Sequence, residues 1–321
     1  MLASCARLIT SLALIGTLNL SAEEAPKWVS GPAEYCGPGK LCAVGEGTGQ
    51  MSAAANARNE ISRIFETRVE SETTVSSSAK ESNAGGVVAG ELTEEMLSII
   101  KDSTEGVLQG VVIEQNYESS DRYYALASLN RLKASEILAA RMKDLDEKNV
   151  NLFEAGKRTD VYRILKNFEL RERLNDRYRI LRSGGYPSPL SYTDVMKKKA
   201  LLRQNRTLVS VDIVGDEKKS ALMPFVVALL LDMDFKITAP EQATFNIVGT
   251  WMENKEHFNV KGFEKYNFTF SLVAKNKSGV KVGGLSTQAI QTGRNLQQSK
   301  ERALPTIKSE ITETIDKLNI N

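Results

Sequence analysis

The chain has 321 residues, of which 41% are hydrophobic and 26% charged, and its formal net charge is +2. This length accommodates two domains of ordinary size, and the composition is that of a globular protein. A near-neutral chain has no general electrostatic attraction to nucleic acid or to a membrane, which argues against a nucleic-acid partner.

The N-terminus has the layout of a secretory signal peptide. Arg7 precedes an apolar run over residues 8–20, and small residues follow it. The run is too short to span a bilayer comfortably. We therefore predict that residues 1–22 are a signal peptide, cleaved after Ala22 or alternatively after Ala25. The protein is then exported to the periplasm, with attachment to the outer membrane as an open alternative.

The three cysteines have different expected roles. Cys5 lies in LASC, which resembles a lipoprotein cleavage box, but the apolar run follows this box instead of ending in it, so acylation of Cys5 stays an open alternative. Cys36 and Cys42 flank a Gly-Pro-Gly turn, and in an oxidising compartment such a pair predicts a local disulfide. A redox or metal pair is the less favoured alternative, because the spacing is not CxxC.

The next segment reads as strand, glycines and helix. Leu41 to Val44 predicts a short strand, GEGTG follows, and residues 51–71 have helical spacing. A dinucleotide site would need GxGxxG and an acid after a second strand, so a tight turn is the expected role of these glycines. Residues 73–90 lack periodicity and predict a mobile loop, either a binding element or a disordered connection.

Residues 104–133 predict an antiparallel hairpin that runs into a helix. The stretch from Val107 to Tyr117 is rich in β-branched residues, and ESSDR supplies a polar turn. Alternate residues from Tyr123 to Leu129 then share one face of a second strand. A short helix over residues 92–102 precedes the hairpin, and a longer one begins near Lys133, so this region is predicted as β-α-α-β-β-α.

Three segments carry a resemblance to a known family. They are GEGTGQMSAAANARNEISRIF (45–65), LQGVVIEQNYE (108–118) and YYALASLNR (123–131). Together they resemble the Lpp-type twenty-kilodalton outer-membrane lipoprotein family, and the same region, about 27–145, is similar to the FlgP- and FlgT-like proteins of flagellar outer-membrane rings. The resemblance implies an envelope protein that belongs to a larger assembly. The lipid-anchoring Cys of that family has no counterpart at its usual place.

Residues 146–204 are charged and helical, with one apolar face and many bases on the others. Gly156 is expected to separate two antiparallel helices that end near Gly184, and YPSPL (186–190) predicts a stiff linker. The bases, which include Arg163, Lys166, Arg171, Arg173 and Arg177, predict either a solvated face balanced by acids or a site for an anionic partner.

The last region predicts a second domain with the order β-α-β-β-β-β-α, a sheet with helices on one face. Its clearest strand is residues 264–275, where Tyr, Phe, Phe, Leu and Ala alternate with polar residues, and an amphipathic helix with apolar positions from Leu304 to Leu318 closes the chain. With DFKI (234–237) before ATFNIVGTW (243–251), it resembles the small periplasmic domain shared by TolB, LpoB, CsgG and the middle part of FlgT.

No residues suggest a catalytic centre. The single histidine, His257, lies in a polar segment between strands, where an exposed side chain is the ordinary explanation. Zinc would need more nitrogen or sulfur ligands. Glu114 comes nearest to an acid inside an apolar strand, and the exposed face of the hairpin explains it better.

The sequence therefore predicts an α+β protein of two small α/β-sandwich domains, 27–145 and 205–321, joined by the helical insert 146–204. We expect a non-catalytic structural or assembly protein of the periplasm or outer membrane, and the resemblance implies a component of the flagellar-motor ring. The alternative is a periplasmic regulatory protein acting on a cell-wall synthase or another envelope machine. Expected partners are envelope proteins, basal-body components and further copies of the chain, with no cofactor, metal or small-molecule substrate.

Overall fold

The computed structural model describes residues 24–82, 94–214 and 222–321. The predicted signal peptide, Cys5 and residues 83–90 of the predicted loop lie outside these ranges. Within them the fold combines helices with a three-stranded and a five-stranded sheet, so the predicted α+β class is confirmed. The helices are α1 Lys27–Ser30, α2 Pro32–Cys36, α3 Gln50–Ser82, α4 Glu94–Gln109, α5 Arg131–Ala155, α6 Arg158–Leu181, α7 Tyr192–Gln204, α8 Leu222–Asp232 and α9 Leu296–Thr314. The strands are β1 Lys40–Gly47, β2 Val111–Glu118, β3 Tyr123–Asn130, β4 Leu208–Val214, β5 Lys236–Ile237, β6 Phe245–Glu256, β7 Glu264–Asn276 and β8 Lys281–Gly293.

The first sheet is antiparallel with the order β1-β3-β2. Its central strand β3 is buried on both faces, because alternate side chains of a strand point to opposite sides. On one side Ala125 and Leu129 pack against the apolar face of α3, including Ile61 and Phe65. On the other side Leu126 packs with Trp28.

The disulfide partners lie at one edge of this sheet. Cys36 ends α2 and Cys42 is in β1, with their sulfurs bonded and their Cα atoms 6.4 Å apart. The bond ties the short N-terminal helices to the sheet.

The first glycines of GEGTG do more than form a turn. Gly45 lies in β1, where a Cβ would meet the backbone nitrogen of Ala57 at 2.0 Å and the carbonyl of Ala53 at 2.3 Å. Gly47 is equally close to α3, and only residues 48–49 form the bend before that helix. The expectation of a tight turn was therefore incomplete, because β1 and α3 can pack this closely only without side chains.

The predicted loop is helical in its first part. Helix α3 continues to Ser82, so the loop expectation was wrong for residues 73–82. No glycine or proline interrupts the sequence from Gln50 to Ser82. Thr73 also donates a hydrogen bond to Asp176 of α6 at 3.3 Å, and this lateral contact holds the helix where propensity alone is weak.

Helix α4 is likewise longer than predicted. It extends to Gln109, so the strand begins at Val111 and not at Val107. Ile100, Ser103 and Val107 are all buried, and their spacing of three and four residues keeps one helical face against the core. Gly110 then forms the turn into β2.

Helices α5 and α6 form the predicted antiparallel pair. Gly156 ends α5 with φ of 69°, as a left-handed C-cap. Since α5 runs without a break from Arg131, the predicted boundary after residue 145 lies inside a helix. Helix α6 contacts both halves of the protein: Leu170 and Leu174 belong to the core of the first sheet, whereas Tyr162 packs against that of the second.

Arg171 was predicted on a polar face of this insert and is buried instead. Its guanidinium binds both oxygens of Asp146 on α5, at 2.6 and 3.0 Å, and donates to the carbonyls of Tyr186 and Pro187. The ion pair thus fixes the proline-containing linker onto the α5–α6 pair. Full pairing is what a charge needs inside a core.

The second sheet has the order β5-β4-β6-β7-β8, with β4 parallel to β5 and β6 and the other pairs antiparallel. Phe268, Phe270 and Leu272 of β7 face α8 and α9, and their polar neighbours face outward. The predicted element order, with both helices on one face, is confirmed.

The long edge strand β8 is covered along its backbone by α9 and the residues after it. Glu310 accepts a hydrogen bond from the amide of Gln288, Arg302 donates to the carbonyl of Thr292, and Asn319 donates to that of Val282. Three backbone groups of β8, at positions 282, 288 and 292, are therefore engaged on a strand of thirteen residues.

Candidate binding groove

A groove of about 1000 Å³ separates the helices of the first unit from those of the second. One wall comes from α4, α5 and α6, and the other from α8 and α9. Its size is at the upper end of the usual range for ligand pockets. The lining residues are Glu95, Met96, Lys148, Asn151, Leu152, Tyr162, Arg163, Lys166, Asn167, Phe225, Pro305, Thr306, Lys308, Ser309, Thr312 and Glu313.

Part of the lining is apolar. Tyr162 and Phe225 are half-buried and pack against the core of the second sheet, while Leu152 packs with the α6–α7 cluster. Burial, together with the nearby carboxylates of Asp232 and Glu169, raises the pKa of Tyr162 to about 12. The phenol therefore stays protonated at neutral pH and is available as a hydrogen-bond donor.

Four cations surround this apolar part. Arg163 is fixed across the boundary between the units, because it bonds to Asp316 at 2.8 Å and to the carbonyl of Glu313. Lys166 pairs with Glu169 on its own helix at 3.3 Å. Lys308 lies over the ring of Phe225, 5.5 Å from its centroid, and Lys148 is exposed at the groove's edge.

Two carboxylates meet across the groove. Glu95 of α4 and Glu313 of α9 approach each other closely enough for their like charges to interact. Desolvation, with the charge and hydrogen bond of Glu313, raises the pKa of Glu95, and Lys148 opposes this. The lining carries four cations and two carboxylates, and Arg163 and Lys166 are already paired, so Lys148 and Lys308 are the cations that an anionic or acid-bearing ligand would meet.

This acid pair is the nearest approach to catalytic chemistry in the part of the chain described. Glu95 and Glu313 are, however, both exposed on long side chains, unlike the desolvated carboxyls of a catalytic acid pair. The groove as a whole has the composition of a binding surface.

The residues singled out from the sequence lie elsewhere. His257 is exposed in the β6–β7 connection. Glu114 is exposed and bonds to Lys40 at 2.5 Å and to Ser128 at 2.6 Å, and these contacts lower its pKa, the opposite of what a general acid needs. Over residues 24–82, 94–214 and 222–321, no cluster of three or more metal-ligating side chains occurs. Nor does any helix there combine the length and apolar character required to cross a bilayer.

Sequence reasoning missed the groove because its walls come from residues that are as much as 218 positions apart, Glu95 and Glu313. The sequence contained one local signal for the groove. Tyr162 and Lys166 share a face of α6 that turns away from the buried face formed by Val161, Ile164 and Phe168. An aromatic side chain on this second face indicates that it packs against another part of the protein.

Comparison with known proteins gives a family match for the first unit. Residues 26–130 match the sequence model of the LPP20 lipoprotein family, about a third of the chain. This match supports the predicted relation of the first domain to outer-membrane lipoproteins, and with it an exported protein of the cell envelope. A search among curated proteins gives no match.

Solved structures give distant likenesses. The secreted protein HP1454 from Helicobacter pylori is 11% identical, with a TM-score of 0.33, over 86% of this chain and 97% of its own. A minor lipoprotein from Acinetobacter baumannii is 12% identical, with a TM-score of 0.28, over 35% and 93%. The rare lipoprotein B from Shewanella oneidensis is 8% identical, with a TM-score of 0.25, over 35% and 90%. At these scores none of the three carries an argument.

Proposed function

We propose that the protein is a non-catalytic structural or assembly component of the bacterial envelope, which holds a segment of a partner protein in the groove. The observation that carries this proposal is the groove itself, a large, partly apolar channel edged by four cations between two units. The lipoprotein-family match of residues 26–130 supports the envelope as its location.

The lining suggests the chemistry of the partner segment. An amphipathic helix that inserts into a groove presents apolar side chains at helical spacing, and its polar residues meet the groove's edges. Leu152, Tyr162 and Phe225 fit the apolar side chains of such a segment, and Lys148 and Lys308 fit its carboxylates. The machine we propose is a flagellar-motor ring, on the resemblance of the first unit to ring proteins, with other copies of the chain as neighbours.

Crosslinking within cells tests the groove directly. A photoreactive amino acid at Thr306, which is exposed on the groove side of α9, should capture the partner segment. The same group at Glu301, exposed on α9 outside the groove, is the matched control. Lys148→Glu should weaken capture, and Lys133→Glu, on the same helix but outside the groove, should not. Equal capture from both α9 positions contradicts the proposal.

Sedimentation of gently solubilised envelopes then identifies the machine. If the protein travels with flagellar basal bodies, the ring assignment is supported and its copy number can be measured. If it sediments as a small species bound to one cell-wall synthase, the regulatory alternative replaces it. The proposed absence of catalysis is tested by the double variant Glu95→Gln, Glu313→Gln, which should keep assembly intact. Loss of a hydrolytic activity in that variant would instead assign the acid pair to catalysis.

A further inference from the structure

The tip of the β6–β7 hairpin is an exposed apolar surface that the groove does not involve. The strands pair as far as Glu256 and Lys265, and the seven residues 257–263 continue beyond the last pair. All seven are exposed. Phe258, Val260 and Phe263 are among them, with 38%, 49% and 42% of their surfaces accessible.

This tip has a defined conformation. The amide of Phe263 donates to the carbonyl of Val260 at 3.1 Å, and Gly262 between them has φ of +81°. That is the geometry of a tight turn with glycine at its third position. The turn places Val260 and Phe263 at the two ends of one four-residue unit, so apolar side chains are held outward together.

The charges around the tip are unequal. The acids Glu253, Glu256 and Glu264 are each paired with a lysine. Lys261, within the tip, and Arg294, at the adjacent end of β8, form no ion pair with any described residue and are both exposed. Local charge is therefore positive around an apolar centre, although the chain as a whole is nearly neutral.

We propose that this hairpin tip inserts into the surface of an anionic lipid bilayer. Three side chains on a convex turn are too few for a stable protein interface, which buries on the order of 1,200 Å² or more in total. A bilayer surface suits them better, because aromatic and aliphatic side chains enter the headgroup region while flanking cations meet lipid phosphates. The contact would orient an envelope protein whose described helices do not cross the membrane.

Flotation with vesicles tests the proposal. The full chain without its predicted leader should float with vesicles of phosphatidylglycerol mixed with phosphatidylethanolamine, and much less with pure phosphatidylcholine. The double variant Phe258→Ser, Phe263→Ser should lower the bound fraction about tenfold or more, as expected when two buried aromatic rings are lost. Lys261→Ala should weaken binding and reduce its salt dependence.

Val280→Ser is the matched control, because Val280 is 59% exposed in the turn at the other end of β7. It should bind vesicles like the unchanged protein. Unchanged far-ultraviolet circular dichroism and urea midpoints would show that all variants fold.

Insertion itself is measured by fluorescence. In a Trp251→Phe background, the emission added by Phe258→Trp should shift to the blue when anionic vesicles are added, and the emission added by Val280→Trp should not. The proposal is overturned if the unchanged protein does not bind anionic vesicles, or if the double serine variant binds them as well as the unchanged protein. It is also overturned if the Phe258→Trp and Val280→Trp variants show equal emission shifts. Capture of a protein through the tip without vesicle binding would likewise assign it to a protein partner.

Discussion

The buried pair of Arg171 and Asp146 gives the sharpest test of the fold. Arg171 is 2% exposed and Asp146 5%, and the guanidinium bonds to both carboxylate oxygens and to two linker carbonyls. Arg171→Met keeps much of the side-chain volume and leaves Asp146 without its cation. Removing one partner of a buried pair costs about 3–5 kcal/mol, because the remaining charge is uncompensated.

The measurement is urea unfolding in a Trp251→Phe background, where Trp28 alone reports on the first unit. Trp28 is 2% exposed and packs with Leu126 of the central strand, so its emission should follow loss of that core. The free energy of unfolding should fall by about 3–5 kcal/mol in Arg171→Met.

Two comparisons make this test decisive. Replacing both partners, Arg171→Met with Asp146→Leu, should recover about half of the loss or more, because no unpaired charge is then buried. Lys143→Met breaks an exposed pair with Glu147 on the same helix and should cost less than about 0.5 kcal/mol. A loss below about 1 kcal/mol in Arg171→Met, or simple additivity in the double variant, would refute the reasoning.

Three further predictions concern stability. Gly45→Ala should destabilise the first unit by about 3 kcal/mol or more in the same urea assay, because a Cβ at this position overlaps the backbone of α3. Gly49→Ala is the control and should be nearly neutral, because a Cβ there meets nothing within 4 Å. Reduction of the Cys36–Cys42 disulfide should cost about 2 kcal/mol from the entropy of its short loop, and a double serine variant that is as stable as the oxidised protein would contradict this. The raised pKa of Glu95 means that folding disfavours its ionised form, so the penalty is absent in acid below the usual carboxyl pKa and grows as pH rises through that range. Glu95→Gln should therefore raise the urea midpoint at neutral pH and leave it unchanged in acid, and an equal effect at both would contradict the link between Glu95 ionisation and folding.

The hydrophobic periodicity of the sequence predicted the strands and helices whose apolar faces pack on the core. The alternation from Tyr266 to Ala274 identified β7, and the apolar spacing after Leu304 identified the end of α9. Boundaries were less accurate where packing extends an element. Val107 is β-branched, yet it stays helical because it continues a buried face, and α3 runs past residue 73 because α6 supports it.

Long-range structure explains the remaining differences. The groove depends on how α9 lies beside α4, a relation that no spacing along the chain encodes. Arg171 could have been found, since it lies three residues after Phe168 and three before Leu174, on the apolar face of α6. Its partner could not, because Asp146 sits among many acids on α5 and only the helix crossing selects it.

The bonds from α9 to the backbone of β8 restrict how copies of this chain can assemble. An open strand of that length would template pairing with a neighbouring chain and could grow into an unlimited ribbon. Glu310, Arg302 and Asn319 occupy three of the backbone hydrogen-bonding groups that such growth would use. Continuous strand pairing along the full length of β8 is therefore blocked, and any contact of this edge with another chain must rely on side chains.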